Sequence, residues 1–371
     1  MNTDKNHKSR EFTDPSLILK PENRNSFRKK LILWFEGNRR SLPWRRHPTP
    51  YRVWISEIML QQTQTVTVIP YYNRFLKKFP DIVSLAKSGE EDIVALWSGL
   101  GYYSRARNIH KAARKIVRFH DGRFPTDYQT ILSLPGIGRY TAGAICSIAL
   151  NQPYPIVDGN IRRVLTRLRG VRRRLPEKYF WSRMATLVPE GKASSFNQAM
   201  MELGAVICLP NQPLCTECPV HRFCRAKERN LQNKIPLPKP KKSVLRVELV
   251  VVVIKQKNRI LLVRQKKSFI PGQWGLPCGI LSSNSSPAAA ANRLTKTLIR
   301  AEIPIEYRGA FQHSITHHRI RVHTFGGEIG NTVLKENKGK VGTRWVTEVQ
   351  TGELLTSSMF RKALDNCGKR M

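Results

Sequence analysis

Four cysteines near the middle of the chain are spaced so that their thiolates can bind one inorganic centre. They follow the pattern Cys208-x6-Cys215-x2-Cys218-x5-Cys224, and four thiolates are the usual ligands of an iron–sulfur cluster. Zinc also takes four cysteines, but zinc motifs usually supply them as two short pairs, and here only the middle pair is short. Four unrelated thiols in an intracellular protein are the other alternative, which the short Cys-x2-Cys spacing disfavours. The pattern therefore favours an iron–sulfur cluster.

The other three cysteines do not indicate a disulfide framework. Cys146, Cys278 and Cys367 are scattered along the chain, and the first residues lack the apolar segment of a secretory signal. No apolar run approaches the length of a membrane span. We therefore expect a cytoplasmic protein that does not bind a membrane.

Two carboxylates are candidates for acid–base chemistry. Glu57 lies in a mostly apolar helical stretch between Ile55 and Ile58, where burial would raise its pKa and make it a usable proton donor. The alternative is an ion pair with one of the many arginines. Asp158 precedes a Gly-Asn pair, and an aspartate in that position is often only a helix cap. Each carboxylate thus has a catalytic and a structural interpretation.

A glycine-rich turn predicts a contact with nucleic acid. The segment Leu134-Pro-Gly-Ile-Gly-Arg-Tyr-Thr-Ala142 places Gly136 and Gly138 between two helical stretches. Glycines let the backbone approach another chain closely, and the following helix offers free N–H groups to a phosphate. Arg139 adds a positive charge there. A plain turn between two helices is the alternative, but the pattern favours a helix-hairpin-helix motif.

The net charge indicates a polyanionic partner. The chain has 64 Lys+Arg and 26 Asp+Glu, which gives a formal net charge of +38. Such an excess repels itself unless it meets a polyanion, so DNA or RNA is the leading expected partner. A general adaptation for solubility or for an anionic environment is the alternative.

The elements that must position these groups are predicted to be helices. The 371 residues are enough for two domains, and residues 1–25 are polar enough to form a flexible basic tail. From residue 26 to about residue 230, apolar residues recur at helical spacing, with short breaks at Pro, Gly and Asp. Helices are predicted within residues 27–35, 53–59, 71–79, 93–97, 109–117 and 141–150.

A change of composition marks a second domain. Residues 231–246 are rich in proline and lysine and predict an extended linker. Residues 247–371 follow with predicted strands within 249–254, 259–263 and 320–325, and an alanine-rich helix within 287–298. This part of the chain is predicted to be an α+β domain.

The chain resembles the endonuclease III superfamily of DNA glycosylases. The resemblance lies in the order of four features, which are the Glu57 helix, the hairpin, Asp158 and the cysteines. The similarity to its MutY-type adenine DNA glycosylases is close from about residue 26 to residue 224 and weaker beyond the linker. Further segments that resemble this family are Leu42-Pro-Trp44, Thr49-Pro-Tyr51, Ser56-Glu-Ile-Met-Leu-Gln-Gln-Thr-Gln64, Trp97-Ser-Gly-Leu-Gly-Tyr-Tyr103 and Phe196-Asn-Gln-Ala-Met-Met-Glu-Leu-Gly204.

The resemblance implies a fold class and a cofactor. The expected protein is multidomain, with an all-α helix-hairpin-helix glycosylase core over residues 26–230 and an α+β Nudix-like domain over residues 247–371. The core is expected to hold a [4Fe-4S] cluster. The implied ligands are the four spaced cysteines, Cys208, Cys215, Cys218 and Cys224.

The resemblance also implies roles for single residues. Glu57 would protonate adenine, Asp158 would stabilise the positive charge that develops on the sugar, and Tyr140 and Asn160 would orient the site. Three other residues would fill the opened base stack, although Tyr102 has an alternative as a core aromatic: Gln61, Gln62 and Tyr102. The expected DNA contacts of the hairpin are Gly136, Gly138 and Arg139.

Tyr140 separates two kinds of enzyme within this superfamily. Lyase-type relatives have a lysine directly after the Gly-x-Gly-basic turn, where it forms a Schiff base with the sugar. This sequence has Tyr140 at that position, and a phenol cannot form an imine. A monofunctional glycosylase is therefore expected.

The C-terminal domain resembles a Nudix fold through its strands and through Trp274-Gly-Leu-Pro-Cys-Gly279. Nudix hydrolases bind metal with a glutamate-rich helix. Of the residues that mark this helix, only the arginine is present here, as Arg293. The glutamate positions fall on Ser285, Leu294, Thr297 and Leu298. Lesion recognition is therefore expected rather than nucleotide hydrolysis.

A loop in this second domain is the expected lesion contact. Where the family has a Phe-Ser-His loop against 8-oxoguanine, this chain has Ile315, Thr316 and His317. Threonine keeps a hydroxyl group, whereas isoleucine loses the aromatic face. Thr316 and His317 are therefore the expected contacts with the lesion.

The implied function is base excision repair, in which adenine opposite 8-oxoguanine or guanine is released from double-stranded DNA by hydrolysis. We expect a monomer that acts on the nucleoid in a bacterial cytoplasm. Two alternatives remain: release of thymine from G·T mismatches, and a non-enzymatic iron–sulfur DNA-binding protein. The second domain argues against the first alternative, and the presence of both carboxylates argues against the second.

Overall fold

The computed structural model describes residues 19, 21–238, 243–265, 273–282, 285–315, 317–330 and 342–368. The chain divides into two compact units, residues 1–239 and 240–371, so the boundary falls within the linker that the sequence predicts. The expected combination of a helical core with an α+β domain is confirmed.

The first unit is helical throughout its described part. Its helices are α1 Pro21–Asn38, α2 Pro43–Arg46, α3 Pro50–Leu60, α4 Thr65–Lys78, α5 Ile82–Lys87, α6 Glu90–Leu96, α7 Ser104–His120, α8 Tyr128–Leu132, α9 Arg139–Ala144, α10 Gly159–Arg169, α11 Glu177–Leu187, α12 Ala193–Glu202 and α13 Arg225–Glu228. Helix α1 begins at Pro21, earlier than the start at residue 26 that the sequence predicts. Two helices continue into π-helical turns, α9 into Ile145–Ala149 and α12 into Leu203–Ile207.

Helix α3 lies in the hydrophobic core of this unit. Thr49 caps its N-terminus by accepting from the backbone N–H of Arg52, and Pro50 occupies the first turn, where a missing N–H costs nothing. Every residue from Val53 to Met59 is buried, as expected for a helix that is apolar on nearly all sides. Glu57 is therefore forced into the core by its neighbours.

The second unit is built on one mixed sheet. Its elements are β1 Leu245–Gln256, β2 Arg259–Arg264, β3 Trp274–Gly275, β4 Cys278–Ile280, α14 Pro287–Ile299, β5 Ile305–Ile315, β6 His318–Glu328, β7 Thr343–Thr347, α15 Glu348–Leu354 and α16 Ser358–Gly368. The strand order is β3-β2-β1-β6-β5, with β4 paired to β1 and β7 paired to β2. The β1–β6 pair is parallel, from Leu245 opposite His318 to Lys255 opposite Glu328.

Strand β1 explains how this sheet is covered on both faces. Its side chains alternate between the faces, with Val251 packed in the cluster that includes Phe360 of α16. The neighbouring Val252 packs in the cluster that includes Ala291 of α14. A continuous run of β-branched residues is the expected pattern for a strand buried on both faces.

No helix in the described part of the chain combines the length and the apolar composition that a bilayer span requires.

Candidate active site

A cleft of about 230 Å³ in the first unit brings together the residues that the sequence predicts as catalytic. Glu57 projects from α3, Tyr140 from α9, and Asp158 and Asn160 from the start of α10. Glu57 and Asn160 are more than a hundred positions apart in the chain, yet all four residues share the walls of one cavity. The apolar part of the lining includes Leu42, Trp44, Val53, Leu60, Ile148 and Met201.

Glu57 is almost completely buried, with 4% of its surface exposed. Burial raises its pKa to about 7, and the nearby charge of Asp158 adds to that effect. A hydrogen bond from Tyr140 and the charge of Arg45 act in the opposite direction. A carboxyl group with a pKa near neutrality can both give and take a proton at physiological pH.

Asp158 has the helix-cap role that the sequence left open, and it also faces the cleft. Its Oδ1 accepts from the backbone N–H of Ile161 at 2.7 Å, at the N-terminus of α10. Burial raises the pKa of this carboxyl, while the backbone N–H groups and Arg163 favour its charged form. The side chain therefore combines a structural contact with a position on the cleft wall.

Arg163 connects Asn160 to the segment that carries the first cysteine. Its Nη2 donates to Asn160 Oδ1 at 2.9 Å and to the Gly204 carbonyl at 2.7 Å, and its Nε donates to the Cys208 carbonyl at 2.8 Å. The Gly204 carbonyl is free to accept because the π-helical turn directs the Cys208 N–H to Leu203, five residues back. Such a turn adds a residue to a helix and often occurs at a functional site.

The cleft has a charged wall that sequence reasoning did not identify. Glu202 accepts from Arg40 Nε at 2.7 Å and from Arg45 Nη2 at 2.8 Å. These arginines lower the pKa of Glu202 to about 2, although its burial acts in the opposite direction. Glu202 and Arg40 are 162 positions apart, so no local spacing indicates the pair. The only sequence signal is that Glu202 is the one charged residue of its helix, Ala193–Glu202.

The hairpin between α8 and α9 has the expected turn. Gly136 has a φ of +78°, and a Cβ there would lie 2.6 Å from Asn108 Cβ, so the position requires glycine. Gly138 is exposed and precedes the first turn of α9. The guanidinium of Arg139 lies 4.0 Å from the centre of the Trp181 ring. Arg139 therefore has an aromatic partner within the protein, which the sequence did not predict.

The three residues expected in the base stack lie on two loops. Gln61 directly follows the last residue of α3, and Gln62 comes next with a φ of +57°. Tyr102 has a φ of +49° and is 47% exposed, so it is not a core aromatic. Left-handed backbone is uncommon at residues other than glycine and often marks a functional site.

The four spaced cysteines are half-buried free thiols in one segment of the first unit. Burial is the largest cause of the pKa of Cys218 rising to about 12, and the charges of the other three thiols add to it. Within the described residues, no group of three or more His, Cys, Asp or Glu side chains is closed around a metal position.

The chemistry of this donor set fits a thiolate-bound centre. Arg167 donates from Nη1 to Cys208 Sγ at 3.3 Å and to the Leu209 carbonyl at 2.6 Å. Cys224 Sγ donates to the Arg167 carbonyl at 3.5 Å. A buried arginine beside the sulfur atoms compensates the negative charge of thiolates.

The structure describes two of the three residues in the loop of the second unit that is expected to contact the lesion. Thr316 lies outside the described residues. His317 follows the end of β5, its carbonyl accepts from the backbone N–H of Leu245 at 3.0 Å, and its ring lies 4.2 Å from that of His318. Ile315 is the last residue of β5. Arg293 of α14 donates to Ser285 Oγ at 2.6 Å.

Family models match both units of the chain. Residues 55–190 match the HhH-GPD superfamily of base excision DNA repair proteins, and residues 244–352 match the NUDIX domain. The first match includes Glu57, Tyr140 and Asp158.

Relatives with an assigned activity match more of this chain than its first unit alone. An adenine DNA glycosylase of Buchnera aphidicola subsp. Schizaphis graminum is 42% identical over 249 residues, which cover 66% of this chain and 72% of the relative. An adenine DNA glycosylase of Schizosaccharomyces pombe is 31% identical over 373 residues, which cover 81% of each chain. Among solved structures, a thermostable thymine-DNA glycosylase matches with a TM-score of 0.52 at 30% identity, covering 56% of this chain and 98% of that chain.

Proposed function

The chain belongs to the adenine DNA glycosylase family, and we propose that it releases adenine opposite 8-oxoguanine or guanine by hydrolysis of the N-glycosidic bond. The observation that carries this proposal is the shared cleft of Glu57 and Asp158. Glu57 has a pKa near neutrality, and Asp158 offers a second carboxyl group on the wall of the same cleft. Two carboxyl groups with different roles suit the cleavage of a glycosidic bond.

The proposed reaction begins with proton transfer from Glu57 to N7 of adenine. The bond between C1′ and N9 then breaks, and its electron pair leaves with the base. The sugar acquires oxocarbenium character, which the carboxylate of Asp158 stabilises. Water adds to C1′ and gives a proton to the Glu57 carboxylate, which restores the acid. The products are adenine and an abasic site in an intact strand.

The residues that line the cleft are suited to a planar polar ligand. Trp44 and Leu60 offer apolar surface to the faces of a base, while Arg45 and Glu202 offer charged groups to its edges. Since Glu202 is held by two arginines, its carboxylate is fixed before a base arrives. Adenine in duplex DNA must leave the stack to reach such a site.

Contacts with the duplex are assigned to two sets of residues. We propose that Gln61, Gln62 and Tyr102 occupy the gap left by the extruded base, because they lie on two loops whose carbonyls contact the same arginine, Arg105. The N-terminus of α9, with Gly136, Gly138 and Arg139, is proposed to approach a phosphate of the backbone. The net charge of +38 supports this partner.

Tyr140 supports hydrolysis without strand cleavage. Its phenol hydrogen-bonds to Glu57, and it stands where lyase-type relatives carry the imine-forming lysine. We therefore assign Tyr140 and Asn160 to the orientation of the site, and we assign no covalent step to Tyr140.

The cysteine segment is proposed to hold a [4Fe-4S] cluster. Cys208, Cys215, Cys218 and Cys224 would be its ligands, and their thiolate donor set fits this group. When bound, the cluster would supply a rigid cross-link to this segment. Arg163 donates hydrogen bonds both to the Cys208 carbonyl and to Asn160, so a fixed cysteine segment would also fix the position of Asn160.

The second unit is proposed to recognise the base opposite adenine. Thr316 and His317 are the proposed contacts with 8-oxoguanine. We also propose that the protein acts as a monomer. Leu294, Thr297 and Leu298 occupy positions where a Nudix hydrolase has glutamates. Their absence supports binding of the lesion rather than hydrolysis of a nucleotide. A location on the nucleoid of a bacterial cytoplasm would follow from such a role.

The test is base release from three duplexes by the full-length protein, with adenine opposite 8-oxoguanine, adenine opposite guanine, and thymine opposite guanine. The proposal expects release of adenine from the first two duplexes, faster from the first. Thymine release would instead support the activity of the thymine-DNA glycosylase to which the first unit is similar. Failure to release any base would contradict a glycosylase function.

The proposed contacts with 8-oxoguanine are tested by the same assay. Replacing both Thr316 and His317 by alanine should lower the rate ratio between 8-oxoguanine and guanine several-fold, because each lost polar contact contributes about 0.5–1.5 kcal/mol. Ser314→Ala, at an exposed position of β5, is the matched control and should leave the ratio unchanged. An unchanged ratio in the double variant would remove these two residues from lesion recognition.

A further inference from the structure

Arg105, which has no part in the catalytic mechanism, connects the C-terminal end of α3 to the loop before α7. This buried residue of α7 is 8% exposed. Its Nη1 contacts the carbonyl oxygens of Ile58, Met59 and Gln61 at 2.8, 3.0 and 2.6 Å. Its Nη2 contacts acceptors that include the carbonyls of Leu100 and Gly101 at 3.0 and 3.1 Å.

Two of these carbonyls immediately precede the residues with left-handed backbone. Gln61 is followed by Gln62, with a φ of +57°, and Gly101 is followed by Tyr102, with a φ of +49°. Such a conformation is unfavourable for a residue other than glycine unless the surrounding structure holds it. Arg105 holds the preceding peptide group in both loops.

The geometry points to Arg105 as a positioning residue that fixes the spacing between Gln62 and Tyr102, so that both loops enter the duplex as one wedge. Gln62 is exposed, and Tyr102 is 47% exposed, so both side chains remain free to contact DNA. The guanidinium also lies 5.6 Å from the centre of the Tyr102 ring and 5.3 Å from that of Trp97. The inference rests on the proposed function, because it requires a base to be extruded.

A guanidinium is suited to this task, and an ammonium group is not. Arginine presents its donors in a rigid planar fork, whereas lysine is a compact charge with three rotatable donors. One fork here reaches carbonyls on the C-terminal turn of α3 and on the loop before α7 at the same time. The side chain is buried, and this burial lowers the pKa of Arg105 to about 10.

The test uses Arg105→Lys in the full-length protein and a duplex with 2-aminopurine in place of the target adenine. The fluorescence of 2-aminopurine rises when the base leaves the stack. Arg28→Lys is the matched control, because Arg28 also donates to two backbone carbonyls, Leu187 and Thr186, in the same unit. Single-turnover release of adenine at saturating enzyme is measured alongside.

We expect Arg105→Lys to lose most of the fluorescence rise and to slow base release about tenfold or more, since misplacing groups by about 1 Å can cost up to a hundredfold. The pH midpoint of the rate should stay at the wild-type value, because Glu57 is untouched. Arg28→Lys should match the wild-type protein in both measurements. A full fluorescence rise in folded Arg105→Lys would overturn the inference.

A double-mutant cycle separates this role from general stability. In a protein that already carries Gln62→Ala and Tyr102→Ala, Arg105→Lys should add less than about twofold to the loss of rate, because residues that act as a unit are not additive. A fully additive loss would show a structural role alone and would overturn the inference. Arg105→Gln, which keeps an amide donor, replaces Arg105→Lys if the lysine variant does not fold.

The inference and the proposed function fail in different ways. If the wild-type protein neither raises the fluorescence nor releases adenine, the proposed function is wrong. If the wild-type protein does both and Arg105→Lys does the same at wild-type rates, only the role of Arg105 is wrong.

Discussion

The hydroxyl group of Tyr140 donates a hydrogen bond to the buried carboxylate of Glu57. The bond favours the charged form of Glu57 and so lowers its pKa, against the larger effect of burial, which raises it to about 7. Glu57 comes from α3 and Tyr140 from the first turn of α9. The hairpin that is proposed to bind DNA therefore also adjusts the acidity of the proposed proton donor.

The first prediction follows from this hydrogen bond. Because Glu57 must be protonated to act as an acid, the single-turnover rate should be constant below about pH 7 and fall tenfold per pH unit above it. Tyr140→Phe removes the donor that stabilises the carboxylate, so the midpoint should move to higher pH. The measurement is the pH profile of adenine release for both proteins. An unchanged or lower midpoint would contradict the assignment of Glu57 as the titrating acid.

A second prediction separates the two roles of Asp158. Asp158→Asn keeps a good helix cap and removes the charge, so the free energy of unfolding should change by less than about 0.5 kcal/mol while base release falls about a hundredfold or more. Asp158→Ala should lose the rate and also about 1 kcal/mol of stability. Chemical denaturation and single-turnover assays measure these effects. Near-normal release by Asp158→Asn would leave Asp158 as a cap only.

Much of this site could be predicted from local sequence. The burial of Glu57 follows from the apolar residues around it on α3, and the glycine requirement at Gly136 follows from its turn. The spacing of the cysteines indicates a common site because their separation along the chain is short. In each of these cases the sequence signal lies within one helix or one loop.

Other features could not be predicted, because they depend on contacts between distant parts of the chain. Glu202 meets Arg40 across 162 positions, and Arg105 meets the carbonyl of Ile58 across 47. The π-helical turn at Leu203–Ile207, which frees the Gly204 carbonyl for Arg163, has no distinct sequence pattern. Tertiary packing selects each of these, and a single sequence does not display it.

A third prediction concerns strand cleavage. Borohydride reduces an imine between an enzyme amine and an abasic sugar to a stable adduct. Because Tyr140 has no amine, we expect little trapped complex during turnover, with a lyase of the endonuclease III type as the positive control. Gel electrophoresis of the labelled duplex measures the adduct. Efficient trapping would show that another amine acts at the site and would make the enzyme bifunctional.

A fourth prediction concerns the proposed cluster. Protein purified without oxygen should be brown and contain about four iron ions per chain, as measured by elemental analysis. Cys215→Ser should lose most of the iron, whereas Cys278→Ser, in the second unit, should keep it. Stoichiometric zinc without iron in the wild-type protein would replace the cluster by a zinc site.

The most direct test of the central claim is single-turnover release of adenine by Glu57→Gln from a duplex with adenine opposite 8-oxoguanine. The amide keeps the shape of the side chain and lacks the proton to be transferred, so the variant should bind this duplex with wild-type affinity. Its rate of release should be lower by about a hundredfold or more, with free adenine measured by chromatography. Release by Glu57→Gln within a few-fold of the wild-type rate would contradict the claim that Glu57 is the proton donor.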